Sequence, residues 1–155
     1  MSKIVKRLQE LGYTLAEAPK PVASYIPALQ TGNLVFTSGQ LPMKDGEIVY
    51  SGEIGGIYSD IESGQKAAKL CILNALSAIQ AVIGDLDRIT RIVRINGFVK
   101  SAVLFNNQPG VINGASDFIL EIFGPEIGNH TRTAIGVKEL PLNASVEIDM
   151  IVQID

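Results

Sequence analysis

The segment Val146–Ile154, VEIDMIVQI, constrains the fold more than any other part of the chain. Val146, Ile148, Met150, Val152 and Ile154 alternate strictly with Glu147, Asp149, Ile151 and Gln153. A period of two places the first set on one face of an extended strand and the second on the other. That much apolar surface has to be covered, so the chain needs a sheet with one buried face. Glu147 and Asp149 then sit in the middle of the most apolar strand. A carboxylate taken out of water there is costly unless it is paired or used.

The preceding stretch, TRTAIGVKELPLN from Thr131, reads as a second strand joined to the first by a turn at Leu140-Pro141-Leu142-Asn143. Residues 131–155 are therefore expected to close the chain as a β-hairpin. Arg132 enters its first strand as an isolated charge, with the small residues Ala134 and Gly136 on the same face leaving room beside it. A guanidinium in that position can be a surface group or a fork for a carboxylate. Glu147 can be a structural partner, or can hold and deprotonate a water if burial raises its pKa. Asp149 reads as structural. With the turn centred between Pro141 and Leu142, Gly136 faces Glu147 and Arg132 faces Ile151. Arg132 and Glu147 then share a face but stand roughly 13 Å apart along it, so a bend or a neighbouring subunit has to close the gap.

Upstream, Ile4, Val5, Leu8 and Leu11 have helical spacing over residues 3–11, and Gly12 is a natural stop. A loop with Pro19, Pro21 and Pro27 carries Tyr25 towards a strand at residues 33–38. Residues 47–50 are expected to pair with that strand across Lys44-Asp45-Gly46. Residues 61–83 form the clearest helix, with Ala67, Leu70, Cys71, Leu73, Asn74, Leu76, Ala78, Ile79 and Val82 on one broad face and Gly84 at the end. Residues 88–100 alternate as a strand, and residues 109–123 suit a helix with Pro109 in its first turn and Gly124 at its end. After the leading helix the order is ββαβαββ. Two main helices on one face of a mixed sheet make an α+β two-layer domain spanning residues 1–155.

Composition narrows the function classes. A chain of 155 residues with 46% apolar and 19% charged residues has enough material for a real core and hints at an oligomer interface. Its net charge of −3 disfavours a polyanion partner, so no nucleic acid is expected, and no apolar run reaches spanning length, so no membrane is expected either. One cysteine, an N-terminal segment dotted with charges and apolar runs each interrupted by Gly, Asn or charge suggest a soluble, cytoplasmic protein. No dinucleotide or phosphate-loop glycine pattern is present, and one His with one Cys does not make a zinc set, so no metal or cofactor is expected. Cys71 reads as a buried, inert thiol. His130, two residues before Arg132, reads as a hydrogen-bonded loop histidine or the rim of a site.

Taken together, Tyr25, Thr37-Ser38-Gly39-Gln40 followed by Pro42, Asn113, Arg132, Leu140-Pro141 and Val146-Glu147-Ile148 resemble the Rid/YjgF family of enamine/imine deaminases. Older names for that family are endoribonuclease L-PSP and translation inhibitor. The resemblance runs from Tyr25 to the C-terminus, and residues 1–12 look like a helical extension found in one branch. It implies a chorismate-mutase-like (ferredoxin-like) α+β fold and a homotrimer with sites in clefts between subunits. It also implies cofactor-free hydrolysis of reactive 2-imino acids to 2-oxo acids and ammonia. Carried over by motif, Arg132 would bind the substrate carboxylate and Glu147 would position the attacking water. Tyr25, Ser38, Asn113 and the backbone around Ala134 would line the pocket. Ala134 stands where many members have Cys, and residues 124–129 form an insert beside the cleft. The alternatives are a non-catalytic trimer that binds a small carboxylate for regulation and, disfavoured by the acidic balance and single His, a ribonuclease.

Overall fold

A computed structural model describes residues 2–18, 23–57 and 59–155. Pro19 and Pro21 of the anticipated proline loop lie outside the described residues. In chain order the elements are α1 (Lys3–Glu10), β1 (Ala28–Thr31), β2 (Leu34–Thr37), β3 (Met43–Lys44), β4 (Glu47–Ile48), α2 (Ile61–Ile83), β5 (Ile89–Lys100), α3 (Gln108–Gly128), β6 (Thr131–Val137) and β7 (Val146–Ile154). A five-stranded mixed sheet runs β1-β2-β7-β5-β6, and β3-β4 is a separate small hairpin. Helices α2 and α3 cover one face of the large sheet, giving the expected α+β two-layer architecture.

The closing hairpin does not form. Strand β5 lies between β6 and β7, parallel to β6 and antiparallel to β7. The Pro141–Asn143 stretch is a single irregular helical turn, with Leu142 and Asn143 at positive φ, in the connection between two strands that do not pair. Alternation fixes which face of a strand is buried but leaves its partners open. The most apolar strand gains most from neighbours on both sides, and β7 takes the centre. β6, reached from β5 through α3, pairs in parallel at the edge.

The second departure has a local cause. Asp45 and Gly46 both adopt positive φ (53° and 80°), the two-residue turn that pairs the residues directly beside it. Lys44 therefore pairs with Glu47 and Met43 with Ile48, so residues 47–50 do not join residues 33–38. Strand β2 pairs instead with β7 and with β1, a strand the sequence reading missed. Thr31 pairs with Leu34 around Gly32-Asn33.

The helices follow their end signals. The Asp60 side chain accepts from the Ser63 amide at 2.9 Å to start α2, and Gly84 ends it at φ 83°. By length and hydropathy α2 could span a membrane, contrary to the expectation that no run would. It is instead the core helix, with Ala67, Cys71, Ile72, Leu76 and Ile79 fully buried on the sheet and Val82 exposed. Asn107 caps α3 through the Gly110 amide, and Pro109 occupies its first turn. At Gly124 (φ 71°, ψ 170°) the helix breaks, and Pro125 starts one more turn. Gly114 sets the spacing between the helices. A Cβ there would lie 2.5 Å from the Gln65 carbonyl oxygen, so α2 and α3 approach backbone to backbone.

Helix α1 is tied to the turn before β5. Asp87 accepts from Ser2 Oγ (2.7 Å), Lys3 N (2.8 Å) and Ile4 N (2.9 Å), filling orphan donors at the helix start. Slight desolvation opposes ionisation, but those amides and the hydroxyl outweigh it and hold the Asp87 carboxyl below its ordinary pKa. Leu8 is buried in the core cluster, and Arg7 Nε donates to the Glu121 carbonyl at 3.0 Å.

Candidate functional site

The six residues singled out in the sequence fall into two clusters. The first lies on the edge strand β6 and the flank of α3. Arg132 pairs with Ile95 and Ala134 with Gly97, so both project to the helix-covered face. Arg132 Nη1 donates to Asn113 Oδ1 at 2.8 Å and to Ser116 Oγ at 3.1 Å, and Nη2 donates to the Pro109 carbonyl at 3.3 Å. Asn113 thus belongs with Arg132, as expected, and Ala134 packs half-buried against the core beside them. This corner can accept an anion, because it holds a guanidinium in place by neutral acceptors and leaves its charge uncompensated among the described residues.

The second cluster lies around β2 and β7. Glu147 pairs with Phe98 and projects to the uncovered face of the sheet. Its carboxylate sits over Gly39, where a built Cβ would come 2.1 Å from Oε1. Any larger residue at position 39 would displace the carboxylate from its present place, and Gly39 has no need of an unusual φ. Gln40 and Ile148 exchange backbone hydrogen bonds at 2.8 and 3.0 Å, locking the Thr37–Gln40 stretch against β7. Ser38 Oγ donates to the Ile26 carbonyl at 2.6 Å and its amide to the Pro27 carbonyl at 2.8 Å. Those bonds bring the Tyr25 segment to this side, with the Tyr25 ring 55% exposed.

Glu147 is half-buried. Desolvation first, and the charge of Asp149 second, raise its pKa above the ordinary carboxylate value. Asp149 accepts from Asn96 Nδ2 at 2.7 Å, and Arg94 Nε donates to Asn96 Oδ1 at 2.9 Å. That chain fits the structural part expected of Asp149. A carboxylate with a raised pKa, beside a backbone kept bare by glycine, is suited to hold a water and take its proton.

The shared face expected of Arg132 and Glu147 is not found. They stand on opposite faces of the sheet, two strands apart and displaced by three positions along β5. A separation of roughly 14 Å between their backbones follows from strand spacing and rise. Their assignment to one face assumed direct pairing of β6 with β7, and β5 between them reverses it. A cavity of about 470 Å³ opens beyond the ends of β5 and β6, lined by Ser51, Glu53, Lys100, Ser101 and Lys138 among others, but none of the six residues lines it. Reading by motif missed Gly39 as the floor under Glu147 and Ser116 as a partner of Arg132. The first was visible only as part of Thr37-Ser38-Gly39-Gln40, and the second had no signal beyond its spacing of three from Asn113.

Cys71 is fully buried, and desolvation, with the nearby Glu147 charge, pushes its thiol pKa well up. It is the inert thiol expected.

Comparison with known proteins gives consistent relatives. Residues 5–154 match the model of a family described as YjgF/chorismate mutase-like, a description that also carries an endoribonuclease label. The protein TCP17 of Trypanosoma cruzi is 41% identical over 153 residues, covering 99% of this chain and 95% of that one. A 2-iminobutanoate/2-iminopropanoate deaminase of Dermatophagoides farinae is 30% identical over 140 residues, covering 89% of this chain and 91% of its own. The crystal structure of Atu1372 from Agrobacterium tumefaciens, a protein titled as of unknown function, superposes with TM-score 0.91. It is 47% identical and covers 99% of this chain and 93% of that one.

Proposed function

Because the chain belongs to the YjgF/chorismate mutase-like family, we propose that it hydrolyses small 2-imino acids, or their enamine tautomers, to 2-oxo acids and ammonia. The observation that carries this reading is Arg132, anchored to α3 through three neutral acceptors with its charge unpaired among the described residues. A planar carboxylate is the natural partner for such a fork. The deaminase relative in Dermatophagoides farinae supports the same chemistry.

In this reaction a protonated imine carbon is already electrophilic. Glu147, ionised but with a raised proton affinity, accepts a proton from a water as its oxygen attacks that carbon. In the resulting amino alcohol, Glu147 returns that proton to the nitrogen. Ammonia leaves as the carbon–nitrogen bond breaks, and the carbonyl forms as the hydroxyl gives its remaining proton to Glu147, which passes it to water. One water enters, one ammonia departs, and no redox partner is required. Holding the carboxylate and orienting the water supplies most of what the step needs.

The two clusters are halves of one site, completed by copies of the chain in a homotrimer. The Arg132 corner lies at one edge of the sheet, and the Ser38–Glu147 corner lies two strands away on the other face. In the assembly, one copy offers the carboxylate fork and its neighbour the water-holding carboxylate. The test is 2-iminobutanoate generated in place by an amino-acid oxidase, with its decay followed in the presence of the protein. Accelerated decay that Arg132→Ala abolishes, with the assembly mass unchanged, is expected. Equal decay with and without the wild-type protein would sink the reading.

A further inference from the structure

Arg132 has neighbours that carboxylate binding alone does not call for. His130, half-buried immediately before β6, is bonded at both ring nitrogens. Nδ1 lies 2.7 Å from the Gly128 carbonyl oxygen and Nε2 lies 2.9 Å from Ser116 Oγ. Ser116 Oγ is in turn 3.1 Å from Arg132 Nη1. For a neutral imidazole the direction of this chain is forced. A carbonyl only accepts, so Nδ1 carries the proton and Nε2 accepts. Ser116 then spends its hydrogen on Nε2 and turns a lone pair to the guanidinium.

A count of donors shows what this does. A guanidinium has five N–H groups in a rigid fork. Asn113 and Ser116 take both protons of Nη1, and the Pro109 carbonyl takes one of Nη2. Among the described residues, the two left over are Nε–H and the second Nη2–H. Nε and Nη2 share one edge of the fork, the edge on which two donors can face the two oxygens of one carboxylate.

We infer that Ser116 and His130 are positioning residues, which decide that Arg132 offers its side-on Nε/Nη2 edge to substrate. This rests on the reading of Arg132 as the carboxylate fork. Loss of the Ser116 lone pair removes one of the two Nη1 anchors and lets the guanidinium turn. The grip on a carboxylate is the same before and during the hydrolytic step, so the loss falls on KM and leaves kcat nearly unchanged. A purely structural tie between α3 and β6 would lower the melting temperature without moving KM.

The experiment has two arms on the full-length protein. In the first, kcat and KM for 2-iminobutanoate and the calorimetric Kd for 2-oxobutanoate are measured for wild type, Ser116→Ala, Ser116→Thr, His130→Ala and the double variant. Ser116→Ala should raise KM and Kd about three- to tenfold, the worth of one hydrogen bond. Ser116→Thr should restore both, and the double variant should be no weaker than Ser116→Ala alone, since the two act in series. Unchanged KM and Kd in Ser116→Ala, or additive losses in the double variant, would overturn the inference. The second arm is independent of any activity. Nitrogen-15 spectra at pH about 8, above the ordinary histidine range, should show His130 protonated at Nδ1 and Arg132 Nη protons in slow exchange that Ser116→Ala releases. An Nε2-protonated ring would overturn the relay. Wild-type protein that neither hydrolyses the imine nor binds the oxo acid would overturn the proposed function, with the spectra still deciding the relay.

Discussion

Arg132 and Glu147 project from opposite faces of one sheet, with Arg132 beside Ile95 on the helix side and Glu147 beside Phe98 on the uncovered side. Neither a rotamer change nor a loop movement moves a side chain through a hydrogen-bonded sheet. If both act on one small molecule, they come from different copies of the chain.

Mixing two inactive variants tests this. Arg132→Ala and Glu147→Gln subunits, denatured together at equal concentration and refolded, should recover about one quarter of wild-type activity in a cyclic assembly. That is the share of sites drawing an intact arginine from one copy and an intact glutamate from the next. A mixture as inactive as its components would place both residues' work within a single chain.

Charge alone should not satisfy the carboxylate corner. Arg132→Ala is expected to lower kcat/KM by a factor of about 10² to 10⁴, since two charge-assisted hydrogen bonds are lost. Arg132→Lys should recover little, because an ammonium is a point donor that cannot match Asn113, Ser116, Pro109 and a carboxylate together. Steady-state kinetics of both variants check this, and near-wild-type activity in the lysine variant would argue against bidentate binding.

Gly39 predicts a loss of function without a loss of fold. Gly39→Ala puts a methyl group 2.1 Å from the present position of Glu147 Oε1, so the carboxylate has to move. Activity should fall at least about tenfold, as for a misplaced catalytic group. Gly39 is exposed and has no positive φ, so the melting temperature should hold within a few degrees. A large drop in stability with retained specific activity would contradict the arrangement.

Glu147 also carries a signature in stability against pH. Its pKa in the folded chain is raised, by desolvation and then by Asp149. Between the unfolded and folded values the native state holds more protons than the unfolded state, so stability falls as pH rises through that window. Glu147→Gln should therefore raise the melting temperature at neutral pH, and the gain should vanish below the ordinary carboxylate range. Asp149→Asn should shift the acid limb of the activity profile to lower pH. Melting curves and rate profiles across pH 4 to 8 (roughly the carboxylate-to-neutral range) decide both.

Local signals determined much of this molecule. The Asp60 cap and Gly84 stop bounded α2, Gly124 marked the break in α3, and alternation identified Val146, Ile148, Met150, Val152 and Ile154 as the buried face of β7. The chain's motifs identified its family, and with it the α+β fold. Asp45-Gly46 is legible as a turn, but a two-residue turn joins only the residues beside it, Lys44 to Glu47 and Met43 to Ile48, and not residues 33–38 to 47–50.

Only the tertiary structure decided which strands meet. A period of two says which side of a strand is greasy, and β7 would satisfy it beside β6 as well as beside β5 and β2. The choice depends on burying β7 at the centre and on the α3 crossover that sets β6 parallel to β5. Inserting one strand between Arg132 and Glu147 changed their relation from a shared face to opposite faces. Sequence named the candidate residues, and long-range pairing energy, which no local pattern encodes, decided that one copy's fold keeps them apart.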